Sequence, residues 1–226
     1  MCAAAADASA RTIEIPALAF GTNQWSVVKL TNPSAEAHRV TLEVYRQNGE
    51  RMPFEGNLNL NPRESVELRI EGRTDKFREM CWARIFDVSG DIEATAVIEI
   101  LKGDTIESFD RPPKEPSRAT SWIVPSWTVQ DKDLYFLNAS DKPVEVSFCT
   151  TSSRFTGACP KRGVAHYPMQ PNQSVLVGIR KLHQQYFLTT SSTRGRAVVV
   201  LMTPGMGDRK MFSSDSSIQF GDPGER

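Results

Sequence analysis

The sequence lacks an excess of charge of either sign. Lysine plus arginine and aspartate plus glutamate each number 27, so the formal net charge is zero. A balanced chain has no general electrostatic attraction for nucleic acid or for an anionic membrane surface. It also contains no basic run interleaved with aromatic residues, which is the composition expected of a nucleic-acid-binding surface. We therefore expect no nucleic-acid partner.

Long apolar runs and targeting signals are also absent. No stretch of roughly 18 apolar residues occurs, which predicts no membrane span, and no basic start followed by an apolar core marks a signal peptide. Residues 1–11 are small and polar and are expected to form a disordered leader. Alternatively, if Met1 is not native, Cys2 followed by Ala3–Asp7 resembles the mature start of a bacterial lipoprotein. Cys2 would then carry a lipid anchor.

Signatures of catalysis, metal binding and cofactor binding are missing as well. His38, His166 and His183 lie far apart, without ligands at metal spacing. There is no Gly-x-Ser-x-Gly elbow, no phosphate-binding glycine loop and no Cys-x-x-Cys pair. Cys81, beside Trp82, is expected to be a small core residue rather than a nucleophile. We therefore predict a protein that is not an enzyme and has no cofactor.

An internal repeat with a spacing of about a hundred residues organises the chain, and so long a period indicates two copies of one structural unit. The corresponding segments are Leu30–Ser34 and Leu137–Ser140, Val40–Val44 and Val144–Phe148, and Leu60–Ile70 and Met169–Ile179. Apolar and polar residues alternate in most of them, which is typical of half-buried antiparallel strands. Helical periodicity is nearly absent, so the sequence predicts an all-β protein.

Proline marks the boundary between the two copies. Residues 110–121 contain Pro112, Pro113 and Pro116 among charged and small polar residues, which is typical of a semi-rigid linker. We therefore predict one β-sandwich at residues 12–109, a second at residues 122–220 and a fraying tail at residues 221–226. In the first copy, Ile13–Pro16 is expected to form a short edge strand that ends at the proline.

The pattern Leu-x-Asn-x-Ser, an alternating strand, and then apolar-x-Pro-x-x-Ser-Val-x-apolar-x-Ile resembles immunoglobulin-like domains of the bacterial cell surface. It is also similar to sandwich modules of the major-sperm-protein type and to the amino-terminal domain of pilus chaperones. The resemblance implies two tandem immunoglobulin-like antiparallel β-sandwiches and transfers no functional residue. The pair of basic residues with which pilus chaperones anchor a subunit's carboxylate is not identifiable here.

Two of the four cysteines fall where the second copy is longer than the first. Cys149 and Cys159 lie in this enlarged segment, and a disulfide closing it would stabilise the fold by roughly 2 to 3 kcal/mol. We consider this pair the candidate disulfide. The alternative is two free thiols in a cytosolic protein.

Aromatic and basic residues provide a candidate contact surface. Trp122 and Trp127 flank Pro125 at the start of the second copy, while Phe20 and Trp25 lie near the equivalent place in the first. Loops on a rigid sandwich often carry binding function, so the enlarged loop joins this surface. The alternative is that the tryptophans close the ends of the sandwiches or fill the interface between the two domains. The candidate surface consists of Trp122, Trp127, Arg154, Phe155, Lys161 and Arg162.

These observations favour a non-catalytic protein that acts through protein contacts, as an accessory or scaffolding subunit of a larger cell-envelope assembly. The expected location is the periplasm or cell surface, and a cytoplasmic location stays open. One alternative is a carbohydrate-binding or adhesive module that uses the tryptophans and the enlarged loop. Another is a pilus-chaperone-like protein that donates an edge strand to an unfinished subunit.

Overall fold

Every regular element in the part of the chain that the structure describes is a strand. The computed structural model describes residues 11–54, 56–72, 78–87, 91–114, 121–124, 132–151, 165–179, 185–190, 197–202, 214–215 and 219–220. These ranges contain seventeen strands and no helix, which confirms the all-β prediction. Nothing in them is a helix of the length and apolarity needed to cross a membrane.

The chain divides into two compact units. The first comprises the residues up to Val44 together with Arg51–Glu115, and the second comprises Tyr45–Glu50 together with the residues from Pro116 onward. Along the chain, the main boundary therefore falls inside the proline-containing segment that the sequence analysis identified as a linker.

The first unit is one curled, eight-stranded antiparallel sheet with the shape of a half-barrel. Strands β1 and β2 are joined only at the turn, where Gly21 pairs with Gln24. The sheet therefore has two parts, which we call half-sheet I (β4-β3-β6-β1) and half-sheet II (β5-β2-β7-β8). The strands are β1 (Arg11–Gly21), β2 (Gln24–Thr31), β3 (His38–Arg46), β4 (Asn57–Leu60), β5 (Ser65–Ile70), β6 (Arg78–Asp87), β7 (Glu93–Lys102) and β8 (Thr105–Asp110).

The core of the first unit lies between the inner faces of the two half-sheets. Because successive side chains of a strand point to opposite faces, the apolar members of each alternating strand meet there. Cys81 is a free, fully buried thiol within this core, as predicted. Burial of each large aliphatic side chain contributes about 1.5 to 3 kcal/mol. The cluster includes Ile15, Leu18, Phe20, Val28, Leu30, Val40, Leu42, Val44, Leu60, Ile70, Ala83 and Ile85.

Strand β1 does not end at Pro16 as predicted, but continues to Gly21. Its register with β6 shifts between Ile15 and Leu18, and Ala17 takes a left-handed conformation with φ of 58°. This bulge carries the strand past a proline that has no N–H to donate. Arg111 supports the bulge, because its Nε donates to the Ala17 carbonyl oxygen at 3.1 Å.

The chain leaves the first unit beside the place where it enters. The backbone N–H of Lys114 donates to the Glu14 carbonyl oxygen at 2.8 Å, which forms an isolated antiparallel bridge to β1. Asp110 is the last residue of β8, and Arg111 is buried. The first residues of the predicted linker therefore pack on the first unit.

The second unit contains two sheets within its described residues. One has the order β13-β10-β15-β16 and the other the order β12-β11-β14-β9-β17. The strands are β9 (Ser121–Val124), β10 (Lys132–Asn138), β11 (Val144–Thr151), β12 (Ala165–Met169), β13 (Ser174–Ile179), β14 (Gln185–Thr190), β15 (Ala197–Met202), β16 (Ser214–Asp215) and β17 (Gln219–Phe220).

The same strand pairings occur in both units. Within each unit, counted from its own start, the second strand pairs with the fifth and seventh, and the sixth strand pairs with the first and third. The second–fifth and third–sixth pairs also occur in immunoglobulin constant domains. In those domains the first strand borders the second and the seventh borders the sixth. Here the two outer positions are exchanged, because the first strand borders the sixth and the seventh borders the second.

A buried asparagine connects two turns in the first unit. The Asn32 side-chain amide donates to the carbonyl oxygens of Glu36, Leu60 and Asn61 at 2.7 to 3.1 Å. Its Oδ1 accepts from the backbone N–H and hydroxyl of Ser34 at 3.0 and 2.8 Å. We call this arrangement the asparagine clasp.

The second unit contains an equivalent clasp. The Asn138 amide donates to the carbonyl oxygens of Lys142 and Gln170 at 2.9 and 3.0 Å. Its Oδ1 accepts from the backbone N–H and hydroxyl of Ser140 at 3.2 and 2.6 Å. The repeated Asn-x-Ser motif therefore forms equivalent hydrogen bonds in two places.

Candidate functional site

The outer face of half-sheet I is largely closed to solvent along β1 and β6. Trp82 and Glu14 lie opposite the core-facing residues of β6 and β1, yet both are fully buried. Arg84 is paired with Glu14 at 3.2 Å, and its guanidinium lies 4.9 Å from the centre of the Trp82 ring. Loss of one partner from a buried ion pair of this kind strongly destabilises the folded protein, because the other charge stays buried without compensation. This face therefore holds the fold together rather than offering an open surface.

Arg111 is also committed to the fold. The pKa of its guanidinium is lowered to about 10, chiefly by burial and also by the positive charge of Arg78, while Asp110 opposes both effects. The group is still protonated at neutral pH. It donates hydrogen bonds to the carbonyl oxygens of Ala17 and Asp110, and these bonds brace the β1 bulge.

The outer face of half-sheet II is open. Leu101 and Ile106 face each other across the β7–β8 hairpin and are 37% and 54% exposed. Val27 and Val97, which are paired across β2 and β7, are half-buried on the same face. Large apolar side chains with this exposure suit contact with a partner better than contact with water.

A pocket of about 450 Å³ lies at one end of this face. Trp25 forms one wall, and its Nε1 donates to Glu99 at 2.5 Å, which fixes the orientation of the indole. The Arg69 guanidinium lies 3.9 Å from the centre of the indole ring and is paired with Glu71 at 2.9 Å. The remaining lining residues are Gly21, Asn23, Gln24, Gly72 and Leu101.

Strand β8 forms an open edge of half-sheet II. Just beyond β8, the N–H of Arg111 donates to the Ala96 carbonyl oxygen. Along an antiparallel pair of strands, residues that bond to the neighbouring strand alternate with residues that do not, so this bond identifies which residues of β8 bond to β7. The backbone groups of Ile106 and Ser108 consequently point away from β7. Within the described part of the chain they have no hydrogen-bond partner on that side.

Edge strand β5, on the other side of half-sheet II, is different in character. Its outward-facing side chains are charged, and Glu67 and Arg69 are both exposed. Charged side chains are a usual means of preventing edge-to-edge pairing. The open β8 edge, with the exposed Ile106 on its outward face, therefore differs from the protected β5 edge.

Most of the predicted contact surface lies outside the described residues. Trp122 is in β9, where its backbone pairs with Leu188 of β14 and Phe220 of β17. The surface stays a prediction, as does lipid attachment at Cys2, which is also outside the described ranges. The other predicted contact residues outside them are Trp127, Arg154, Phe155, Lys161 and Arg162.

Cys149 is buried in β11 and is disulfide-bonded. Its partner is not among the described residues, whose other cysteine, Cys81, is a free thiol. Cys159 lies outside the described ranges, so its pairing with Cys149 stays a prediction.

The described histidines make local contacts. Ser34 Oγ, before β3, lies 2.8 Å from Nε2 of His38, the first residue of that strand. In the second unit, Ser147 Oγ and Glu145 Oε1 both lie 3.1 Å from His166 Nδ1. A catalytic triad needs its serine and carboxylate on opposite ring nitrogens, so this trio is not one. Across the described ranges, no group of three residues could hold a metal ion, and His183 lies outside them.

Of the features at this site, the sequence drew attention to Trp25 but not to Arg69, Glu71, Glu99 or the β8 edge. Arg69 and Glu99 lie far from Trp25 in sequence, and only the pairing of β2 with β5 and β7 brings them together. One usable signal was present, because Ile106 is a lone apolar residue on the outward face of a short, polar strand.

The sequence matches no protein-family model. It matches no curated protein either, so its function is argued from the residues themselves.

Proposed function

We propose that this chain is a non-catalytic binding protein built from two tandem immunoglobulin-like β-sandwiches. In this proposal it serves as an accessory or scaffolding subunit of a larger cell-envelope assembly. The observation that carries the proposal is the open β8 edge beside the exposed side chains of Leu101 and Ile106. It offers a partner both unpaired backbone groups and apolar surface, which is the combination used in strand addition.

The tandem-sandwich part of the proposal rests on the agreement between the two units. Each has the same central strand pairs and the same asparagine clasp, although the outer strand positions differ from those of immunoglobulin domains. Exchange of the first and seventh strands preserves two antiparallel sheets facing one core. The proposed sandwiches are therefore immunoglobulin-like in their centre and distinct at their margins.

The charges near β8 indicate which strand would fit. Asp104, Glu107 and Asp110 give the hairpin an acidic character, which Lys102 offsets only in part through its 2.7 Å ion pair with Glu107. Pairing of β8 with a second copy, in the antiparallel register centred on Glu107, would place Asp104 opposite Asp110, and such like-charge pairs are destabilising. The proposed partner is a different chain, whose docking strand alternates apolar and basic residues.

The disulfide at Cys149 supports a location outside the cytoplasm, because disulfides persist mainly in oxidising compartments. The proposal accordingly places the protein in the periplasm or at the cell surface, with Cys2 as the candidate site of a lipid anchor. Mass spectrometry of unreduced protein from its native cells tests this part. We expect an intact Cys149 disulfide, and a fully reduced protein would contradict export.

A second candidate function is that of a pilus-chaperone-like protein. The open β8 edge at the end of the first unit favours it, because such a protein lends an edge strand to an unfinished subunit. The two functions differ in what binds to β8. A chaperone would hold single, unassembled subunits and release them, whereas a scaffold would remain in the finished assembly.

Site-specific photo-crosslinking in native cells tests the contact. A benzophenone side chain at Ser108 is expected to crosslink one discrete protein, and Ile106→Lys in the same chain is expected to abolish the product. The matched control is the same group at Glu67, on the charged β5 edge of the same half-sheet. Equal crosslinking at both positions, or none at Ser108, would refute the proposal. Recovery of the product from the finished assembly or from a free binary complex separates scaffold from chaperone.

A further inference from the structure

The pocket beside Trp25 has the size and rigidity of a small-molecule site. Its volume of about 450 Å³ lies within the usual range of roughly 300 to 1,000 Å³. Glu99 holds the indole through its Nε1 hydrogen bond, so the apolar wall is already ordered. A preorganised aromatic surface loses little conformational entropy when a ligand binds.

The polar groups of the pocket are accessible and planar. The side chains of Arg69 and Glu71 are 52% and 64% exposed, while their ion pair keeps them together. A guanidinium offers several N–H donors in a fixed fork, and a carboxylate offers two acceptor oxygens. Neighbouring hydroxyl groups on a sugar ring can bond to such paired donors and acceptors. The C–H face of the same ring can pack on Leu101 and on the part of the Trp25 indole that the Arg69 guanidinium leaves uncovered.

The charges of the pocket disfavour ionic ligands. Glu71 and Glu99 offset the positive charge of Arg69, so an anion gains little here. A cation would compete for the face of the indole with the Arg69 guanidinium, which already lies 3.9 Å from the ring centre. A neutral ligand that is polar at its edge and apolar on one face fits the remaining surface.

We infer that the Trp25 pocket binds one ring of a neutral saccharide. Trp25 and Leu101 contact the apolar face of the ring, and Arg69 and Glu71 bond to its hydroxyl groups. The site uses none of the predicted contact residues of the second unit. It does not depend on strand pairing at β8, so failure of the proposed protein contact would leave this inference standing, and the reverse also holds.

Nuclear magnetic resonance of the full chain tests the inference. The chain has four tryptophans, and the indole N–H signal of Trp25 is identified as the one lost in Trp25→Phe. Cellobiose, maltotriose and N,N′-diacetylchitobiose serve as neutral probes. At least one is expected to shift this signal saturably at about 10 mM, roughly ten times a dissociation constant of 1 mM. Glu71→Ala is expected to weaken binding about tenfold, as loss of a charge-assisted hydrogen bond does.

Matched variants make the result decisive. Lys29 lies on β2, the strand that carries Trp25, but outside the pocket. Lys29→Ala removes its exposed charge, and the saccharide affinity of this variant should equal that of the parent chain. Glu71 is exposed, so its substitution leaves the fold intact, which the dispersion of the amide signals verifies. The inference is overturned if no saccharide shifts the Trp25 signal. It is equally overturned if Glu71→Ala binds as tightly as Lys29→Ala, or if only phosphate or choline shifts the signal.

Discussion

Removal of the Asn32 side chain is expected to destabilise the first unit severely. An amide group has two hydrogens, so the contacts with the carbonyl oxygens of Glu36, Leu60 and Asn61 amount to two full hydrogen bonds. Two more bonds are accepted from Ser34. At about 1 kcal/mol each, Asn32→Ala would lose about 4 kcal/mol. Water can reach the exposed Glu36 and Asn61 but not the buried Leu60, which lowers the expected loss to about 3 kcal/mol.

The assay must report on the first unit alone, because a chain with two units need not unfold in one step. Hydrogen–deuterium exchange of peptides from β2 and β3, measured through a urea series on the full chain, gives that local stability. Asn59 lies exposed on β4, and Asn59→Ala is expected to change stability by less than about 0.5 kcal/mol. An Asn32→Ala variant as stable as Asn59→Ala would refute the view that the clasp connects the turns. Asn138→Ala should cause a similar loss in peptides from β10 and β11.

Three further predictions follow from buried contacts. Glu14→Gln leaves Arg84 without its buried carboxylate partner and should cost about 3 to 5 kcal/mol in urea unfolding; a loss below about 1 kcal/mol would contradict the ion pair. Gly72→Ala places a Cβ 2.9 Å from Phe20 Cε2 and should lower stability by about 1 to 3 kcal/mol through overpacking, whereas an unchanged melting temperature would show that the ring moves freely. Reduction of the Cys149 disulfide should lower the stability of the second unit by about 2 to 4 kcal/mol, measured by exchange of β11 peptides with and without reductant, with Cys149→Ser as the control that reductant should not affect.

The strands of the first unit follow closely from the sequence, because they depend on local alternation. Val40, Leu42 and Val44 alternate with polar residues and are all in the core. The Asn-Pro-Ser turn after β2 also agrees with local preference, because these residue types favour turns. Its function as a clasp does not follow from local preference, because the carbonyl oxygens of Leu60 and Asn61 approach Asn32 only when the strands are paired.

Features that depend on contacts between distant parts of the chain were not predictable from the sequence. Alternation places Trp82 on the outward side of β6, and nothing local indicates that this side is buried too. Pro16 is a reasonable strand terminator, but a left-handed Ala17 braced by the distant Arg111 lets the strand continue. The candidate pocket depends likewise on the lateral order of β5, β2 and β7, which the sequence does not specify.

The bridge between Glu14 and Lys114 also affects how the first unit would respond to mechanical tension. Because the incoming and outgoing segments adjoin at this bridge, a pull between residues before Arg11 and residues after Lys114 acts on neighbouring points. Such a pull separates the two segments at their ends, and it loads the Lys114–Glu14 hydrogen bond first rather than shearing all the β1–β6 pairs at once. In a protein held at both ends, the first unit would therefore open stepwise at low force and act as an extensible element.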